Sequence, residues 1–230
     1  MKNWIVPENQ TTRRMLLVAC STALAAAFTV SLPQPAHAAH VTPPRVPDKL
    51  QVEKGNTAFL VGHATGTQNY ICLPCPNPST PAAQCPDTSG FAWLLFTPEA
   101  TLFSDNDKQV TTHFFSPNPD EDGTIRATWV HSRDSSTVWG GDAISSSERP
   151  FVDEDAIPWL LLPMAGIQEG PTGGDTLTAT TFIQRLNTAG GRAPSDGCTQ
   201  LSDVGAKAFV PYAADYFFYT GDGRDADDGN

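Results

Sequence analysis

The sequence predicts an all-β domain, a two-sheet β-sandwich or a closed β-barrel of about ten mostly antiparallel strands. Three observations carry this expectation. From residue 48 onward the chain is a series of short apolar runs divided by Gly, Pro, Asn and Asp, with no long segment of helical periodicity. Several runs alternate, as in Phe59, Val61 and His63 against Leu60 and Gly62, which is the pattern of half-buried strands. Others, such as Trp159-Leu160-Leu161-Leu162, are apolar on both faces and belong at the centre of the domain. A sheet of that many strands curls or splits, which leaves the sandwich and the barrel, and periodicity does not choose between them.

In chain order, residues 1–38 read as a cleavable export signal. Arg13-Arg14 precedes an uncharged apolar run, Met15 to Leu32, which ends before the small-residue triplet Ala36-His37-Ala38. The pair in Thr12-Arg13-Arg14-Met15-Leu16-Leu17 fits twin-arginine export and general secretion alike. Leu17-Val18-Ala19-Cys20 is similar to a lipoprotein box, but too little apolar chain separates it from Arg14, so lipidation is not expected. Residues 39–47 form a Pro-rich lead-in, expected to be extended and poorly ordered.

One β domain is expected over residues 48–220. Its predicted strands are Thr57–His63, Thr67–Cys72, Phe91–Phe96, Thr101–Phe103, Val110–Phe115, Ile125–Val130, Thr137–Ile144, Ile157–Leu162, Leu177–Leu186, Lys207–Val210 and Asp215–Thr220. Gly62 and Gly66 predict a bulge or tight turn between the first two, where backbone comes close to something else. Residues 74–88 are a Pro-rich loop. Asp120-Glu121-Asp122-Gly123, Asp153-Glu154-Asp155 and the tail 221–230 are acidic turns or ends without calcium-loop spacing, and the tail is expected to be disordered.

Removal of residues 1–38 takes away Lys2, Arg13, Arg14 and Glu8, moving the net charge from −11 to about −13. So acidic a surface excludes nucleic acid as a partner, and no further apolar stretch approaches membrane-spanning length. Four cysteines remain, Cys72, Cys75, Cys85 and Cys198, and in an exported protein they read as two disulfides with three pairings open. Cys72-Leu-Pro-Cys75 has redox-motif spacing but runs into Pro76 instead of opening a helix, and a single close pair does not make a zinc site.

Five blocks occur in a familiar order. They are Phe59 to Cys72, Pro98-Glu99-Ala100-Thr101-Leu102-Phe103, Ile157 to Leu162, Phe182-Ile183-Gln184-Arg185-Leu186-Asn187-Thr188, and Val210-Pro211-Tyr212-Ala213-Ala214-Asp215-Tyr216. Over residues 46 to 220 the chain resembles the domain of unknown function 3455 family, exported proteins of bacteria and fungi with no established activity. Some fungal members carry an extracellular malate dehydrogenase label, yet this chain has no Gly-x-Gly-x-x-Gly after a strand and no strand–helix alternation to build a dinucleotide fold. The resemblance matches Cys72 and Cys198 to the family's usual pair and leaves Cys75 and Cys85 as an addition, so the expected bridges are Cys72–Cys198 and Cys75–Cys85. Pro117 to Gly123 departs from the family pattern as an insertion.

The candidate ligand-binding residues are His63, Gln68, Tyr70, Trp93 and His113, polar and aromatic groups at or beside strand ends near the Gly62–Gly66 bend. Arg185 and Asn187 share a strand face by their spacing, which either lines a pocket or faces solvent, and Arg185 is assigned to solvent. The leading expectation is a non-catalytic extracytoplasmic protein that binds a small molecule or glycan, or serves the cell envelope, with no cofactor. The alternative is a metal- or carboxylate-dependent enzyme using His63, His113 and Glu99, which requires those three side chains to converge. There is no Gly-x-Ser-x-Gly to support a serine nucleophile.

Overall fold

The computed structural model describes residues 41–75, 85 and 90–221. The predicted signal, the tail beyond Gly221 and most of the Pro-rich loop after Cys75 lie outside the described residues.

The described residues form nine strands: β1 (Asn56–Cys75), β2 (Gly90–Phe103), β3 (Gln109–Asn118), β4 (Thr124–His131), β5 (Thr137–Gly140), β6 (Ile144–Ser146), β7 (Trp159–Gln168), β8 (Thr180–Gly190) and β9 (Lys207–Gly221). Their order is β5-β4-β3-β2-β1-β9-β8-β7-β6, and β5 also pairs with β7, which closes the sheet into an antiparallel barrel. Eight strands make the barrel, and β6 runs beside Trp159–Leu161 as the ninth. The all-β expectation holds, and the architecture is the barrel. Among the described residues no helix is long and apolar enough to cross a membrane.

The chain uses fewer, longer strands than its punctuation suggests. Thr57–His63 and Thr67–Cys72 fuse into β1, Phe91–Phe96 and Thr101–Phe103 into β2, and Lys207–Val210 and Asp215–Thr220 into β9, while Thr137–Ile144 splits into β5 and β6. Gly66 is not in a turn: β1 runs on through it, and a Cβ there would collide with the Glu99 carbonyl oxygen of β2. The glycine lets two long strands press together where the barrel wall bends. Pro98 falls where β2 keeps β1 as neighbour but has lost β3, so a residue without an N–H breaks no second ladder there.

The barrel has a packed end and a hollow end. Inward-facing Leu102, Val138, Ile183 and Phe218, together with Leu177 from the β7–β8 connection, fill the packed end. An aromatic group forms the floor between the halves: the His113 and Trp129 rings stack at 4.3 Å, and Tyr216 lies 5.2 Å from His113 and 5.7 Å from Trp129.

Outside the barrel a second apolar layer covers β1, β7, β8 and β9. Val41, Val46, Leu50 and Val52 pack with Val152 and Ala156 onto Ala58, Trp159, Leu161, Leu186, Phe217 and Tyr219. Val41 and Val46, which belong to the expected lead-in, are therefore packed, not loose. Gln184 donates to Leu50 O at 2.6 Å, tying the N-terminal segment to β8. Both expected disulfides are formed, Cys72–Cys198 and Cys75–Cys85, each with Cα atoms 5.5 Å apart.

Candidate functional site in the barrel interior

The hollow end encloses about 500 Å³, and each of the eight barrel strands contributes to its lining. Gln68 and Tyr70 come from β1, Leu95 and Pro98 from β2, His113 and Phe115 from β3, Ala127 and Trp129 from β4, and Gly140 from β5. Leu160 and Leu162 of β7, Arg185 of β8 and Tyr216 of β9 complete the circle. These residues point inward because side chains alternate across a strand: the registered pairs His113↔Trp129, Leu160↔Arg185 and Arg185↔Tyr216 place them on one face. Ile125 and Asp142, both exposed, mark the rim.

Two crossing segments close the wall beside Gln68 and Tyr70. Ala156 bridges Gly191, and Ile157 donates its N–H to Gly190 O. Gly191 has φ +81, and a Cβ there would lie 2.8 Å from Tyr212 Cβ, so close approach and a left-handed backbone both require glycine. Tyr70 donates its hydroxyl to Gly191 O at 2.6 Å, which locks this closure to β1.

The polar groups inside are chiefly donors. Arg185, with 8% of its surface exposed, donates Nε and Nη2 to Pro158 O at 3.3 and 2.8 Å. Among the described residues it has no carboxylate partner. The Tyr212 and Tyr216 hydroxyls lie 3.2 Å apart, and burial raises both phenols, as it does Tyr70, so all three stay protonated. Among the described residues the Trp129 indole N–H has no partner, and the Gln68 amide nitrogen, beside the Tyr212 hydroxyl, makes no hydrogen bond of normal geometry.

His113 is fully enclosed, and burial, with a smaller contribution from the Arg185 charge, pushes its pKa down to about 3. Its Nδ1 donates to Thr128 O at 2.9 Å, so the neutral ring keeps Nε2 as an acceptor.

A family model described as "Protein of unknown function (DUF3455)" matches residues 53–220. The chain belongs to this family. The matched span begins just before β1 and ends one residue short of the end of β9, so the DUF3455 domain and the barrel coincide, while Val41–Val52 lies before the match. No curated protein and no solved structure matches the chain.

Of the five candidate ligand residues in this DUF3455 domain, the structure brings Gln68, Tyr70 and His113 together around the cavity and leaves His63 and Trp93 apart from it. Trp93 donates its indole N–H to Asp196 O at 2.7 Å, anchoring the β8–β9 connection. His63 is on the outer face of β1, opposite Gly62 and Ala64, because neighbouring residues of a strand face opposite ways. His63, His113 and Glu99 do not converge: Glu99 and His113 border a more open cavity of about 570 Å³, and His63 does not. Among the described residues, no group of three or more His, Cys, Asp or Glu is placed to hold a metal ion.

The assignment of Arg185 to solvent is corrected: it lies inside the barrel. Asn187 does face out, although two-residue spacing puts it on the same face as Arg185. A register shift between Leu186 and Ala189 and a left-handed φ of 50° at Asn187 turn it outward, where it donates to Asp215 at 2.7 Å.

On the outer wall His63 sits between two carboxylates, Nδ1 2.6 Å from Asp215 and Nε2 2.9 Å from Asp105. Hydrogen bonds to Asp215 and then Asp105 raise its pKa above the ordinary histidine value. A raised folded-state pKa stabilises the fold fully below about pH 6.5, and that contribution is lost as pH rises through the folded value. We therefore expect the His63 ring to titrate above the ordinary value by NMR, and Asp215→Asn to lower that midpoint. An unchanged midpoint in Asp215→Asn would show that the carboxylate does not set the proton affinity.

Proposed function

We propose that this chain is an exported, non-catalytic binding protein whose barrel interior takes one small molecule. The hollow end carries the proposal: about 500 Å³ bordered by all eight barrel strands, with an apolar wall and a few convergent polar groups. Small-molecule sites span roughly 300–1,000 Å³ and have this mixed lining. The interior of a closed barrel of this strand number is about wide enough for side chains or for one small ligand, and here the side chains fill one end. Gln68, Tyr70 and His113 are its sequence-predicted contacts, and a cavity of this volume suits a compact molecule better than an extended glycan. Support for export comes from the Arg13-Arg14 apolar signal and from two disulfides, which persist in oxidising compartments.

Titration with the neutral fluorescent probe N-phenyl-1-naphthylamine tests the proposal. We expect saturable binding of one probe per chain, and loss of that binding in Ala127→Trp, which fills the lining from a half-buried position while the melting temperature is retained. Absence of saturable binding in the parent, or equal binding by the well-folded Ala127→Trp variant, would remove the barrel interior as the site.

A further inference from the structure

Arg185 is a buried cation without a counter-charge. Charged side chains avoid the protein interior because desolvation costs several kcal/mol per ion, repaid only by an opposite charge and full hydrogen bonding. Among the described residues Arg126 pairs with Glu121 at 2.8 Å and with Asp142 at 2.7 Å at the cavity rim, and Arg149 pairs with Glu154, while Arg45, Arg133 and Arg192, which have no carboxylate partner, are exposed to solvent. Arg185 has instead one backbone carbonyl, Pro158 O, which takes Nε and one side of Nη2. A guanidinium carries five N–H donors in a planar fork. One further donor leans toward the Tyr216 hydroxyl and favours its ionisation. Among the described residues Nη1 makes no hydrogen bond of normal geometry, and no carboxylate meets the guanidinium, whose paired N–H groups match a carboxylate with two parallel bonds.

The neighbouring groups repeat the imbalance. Among the described residues Trp129 Nε1 has no hydrogen-bond partner and Gln68 Nε2 none of normal geometry, and both residues border the same cavity. His113 adds no second positive charge, since it is neutral. Beyond these groups the lining turns apolar, with Leu160, Leu162 and Phe115.

We propose that the occupant of the barrel is a small organic carboxylate, its anionic head on the Arg185 guanidinium beside Tyr216 and its apolar body against the leucines and Phe115. This rests on the barrel interior being a binding site and specifies what that site selects. The surface of the chain is strongly acidic, so selection of an anion must come from this inward charge and not from long-range attraction.

The experiment compares naphthalene-2-carboxylate with its uncharged carboxamide, and with inorganic phosphate, by calorimetric titration of the purified, disulfide-intact chain. We expect the carboxylate to bind at least about tenfold more tightly than the carboxamide, as charge-assisted hydrogen bonds allow, and phosphate to bind more weakly than the carboxylate. Arg185→Met should abolish the preference and melt no lower than the parent, because it removes an uncompensated charge. Arg185→Lys, which keeps the charge but not the fork, should keep a reduced preference and provides the comparison if the Met variant does not fold. Equal binding of acid and amide, or an unchanged preference in Arg185→Met, would overturn the carboxylate assignment and leave the cavity standing. Phosphate binding as tightly as the carboxylate would overturn the organic body. Failure of acid, amide and the neutral probe alike would remove the binding site itself.

Discussion

Removing the Cys72–Cys198 bridge should cost about 5 kcal/mol of stability, against about 3 kcal/mol for Cys75–Cys85, by loop closure alone. The two bridges differ mainly in what they constrain in the unfolded chain. Cys72 and Cys198 are separated by 126 residues and Cys75 and Cys85 by 10, and loop-closure entropy grows with the logarithm of that length. The folded state points the same way. Cys72 is fully buried at the far end of β1, and its backbone pairs on both sides with the returning chain, Cys72 N to Ala206 O and Gly205 N to Cys72 O, each at 2.9 Å. Cys198 fastens the β8–β9 connection to this point, and that connection begins at Gly191, the residue that closes the cavity against Tyr70.

Cys72→Ser with Cys198→Ser should therefore lower the denaturant midpoint more than Cys75→Ser with Cys85→Ser, and it should also weaken retention of any ligand in the barrel. Paired replacements avoid a free thiol that could exchange. Equal losses of stability, or a peptide map joining Cys72 to Cys75, would refute this account.

Much of the barrel was legible because its inner face is apolar in most places and its loops carry Gly, Pro and Asp. Strand boundaries were not, for a physical reason visible at Pro98, Gly66 and Pro211. Punctuating residues normally end strands, but in a closed barrel with long, bent strands they sit where a neighbour has been lost or where two backbones press together. The site was half legible. Gln68 and Tyr70, a polar row on one face of β1, carried a real signal, as did His113. Arg185 was hidden because β8 is buried on both faces: Ile183 and Arg185 point inward, while Gln184 and Leu186 are covered by the N-terminal segment. Alternation can separate core from solvent, but not one core from another. A signal was nonetheless present. An arginine in the middle of Phe182-Ile183-Gln184-Arg185-Leu186 has no solvent-facing position if both faces are apolar, and such a residue marks an interior site. His63 misled for the complementary reason: it ends an apolar run, yet the alternation that buries Ala64 turns it outward to Asp105 and Asp215.

Replacement of Asp134 by Ala should destabilise the packed end of the barrel by about 3 kcal/mol, the scale expected for losing several hydrogen bonds to a charged group. Asp134 lies in the β4–β5 turn, and its two carboxylate oxygens serve different segments. Oδ1 accepts from Ser136 N at 2.9 Å, from Ser136 Oγ at 2.8 Å, and faces His131 Nδ1 at 2.8 Å. Oδ2 accepts from Thr176 N at 3.0 Å and Thr176 Oγ1 at 2.6 Å, across 42 residues of chain. Next to Thr176 is Leu177, fully buried in the barrel core, whose N–H donates to Ser136 Oγ at 3.1 Å. One carboxylate thus shapes the hairpin and holds the leucine that plugs this end. Burial alone would raise the Asp134 pKa, but the hydrogen bonds from Thr176 and Ser136 outweigh it and hold the carboxyl far below its ordinary range. A depressed folded-state pKa stabilises the fold fully above the unfolded value, about 3.9, and that contribution is lost as pH falls toward the folded value. The stability gap between parent and Asp134→Ala should accordingly be widest near neutral pH and narrow below about pH 4. Asp134→Asn, which keeps one acceptor without the charge, should lose less. Chemical denaturation at pH 7 and pH 3 measures both differences. A gap that stays constant across that range would mean that the ionised carboxylate does not hold this end of the barrel.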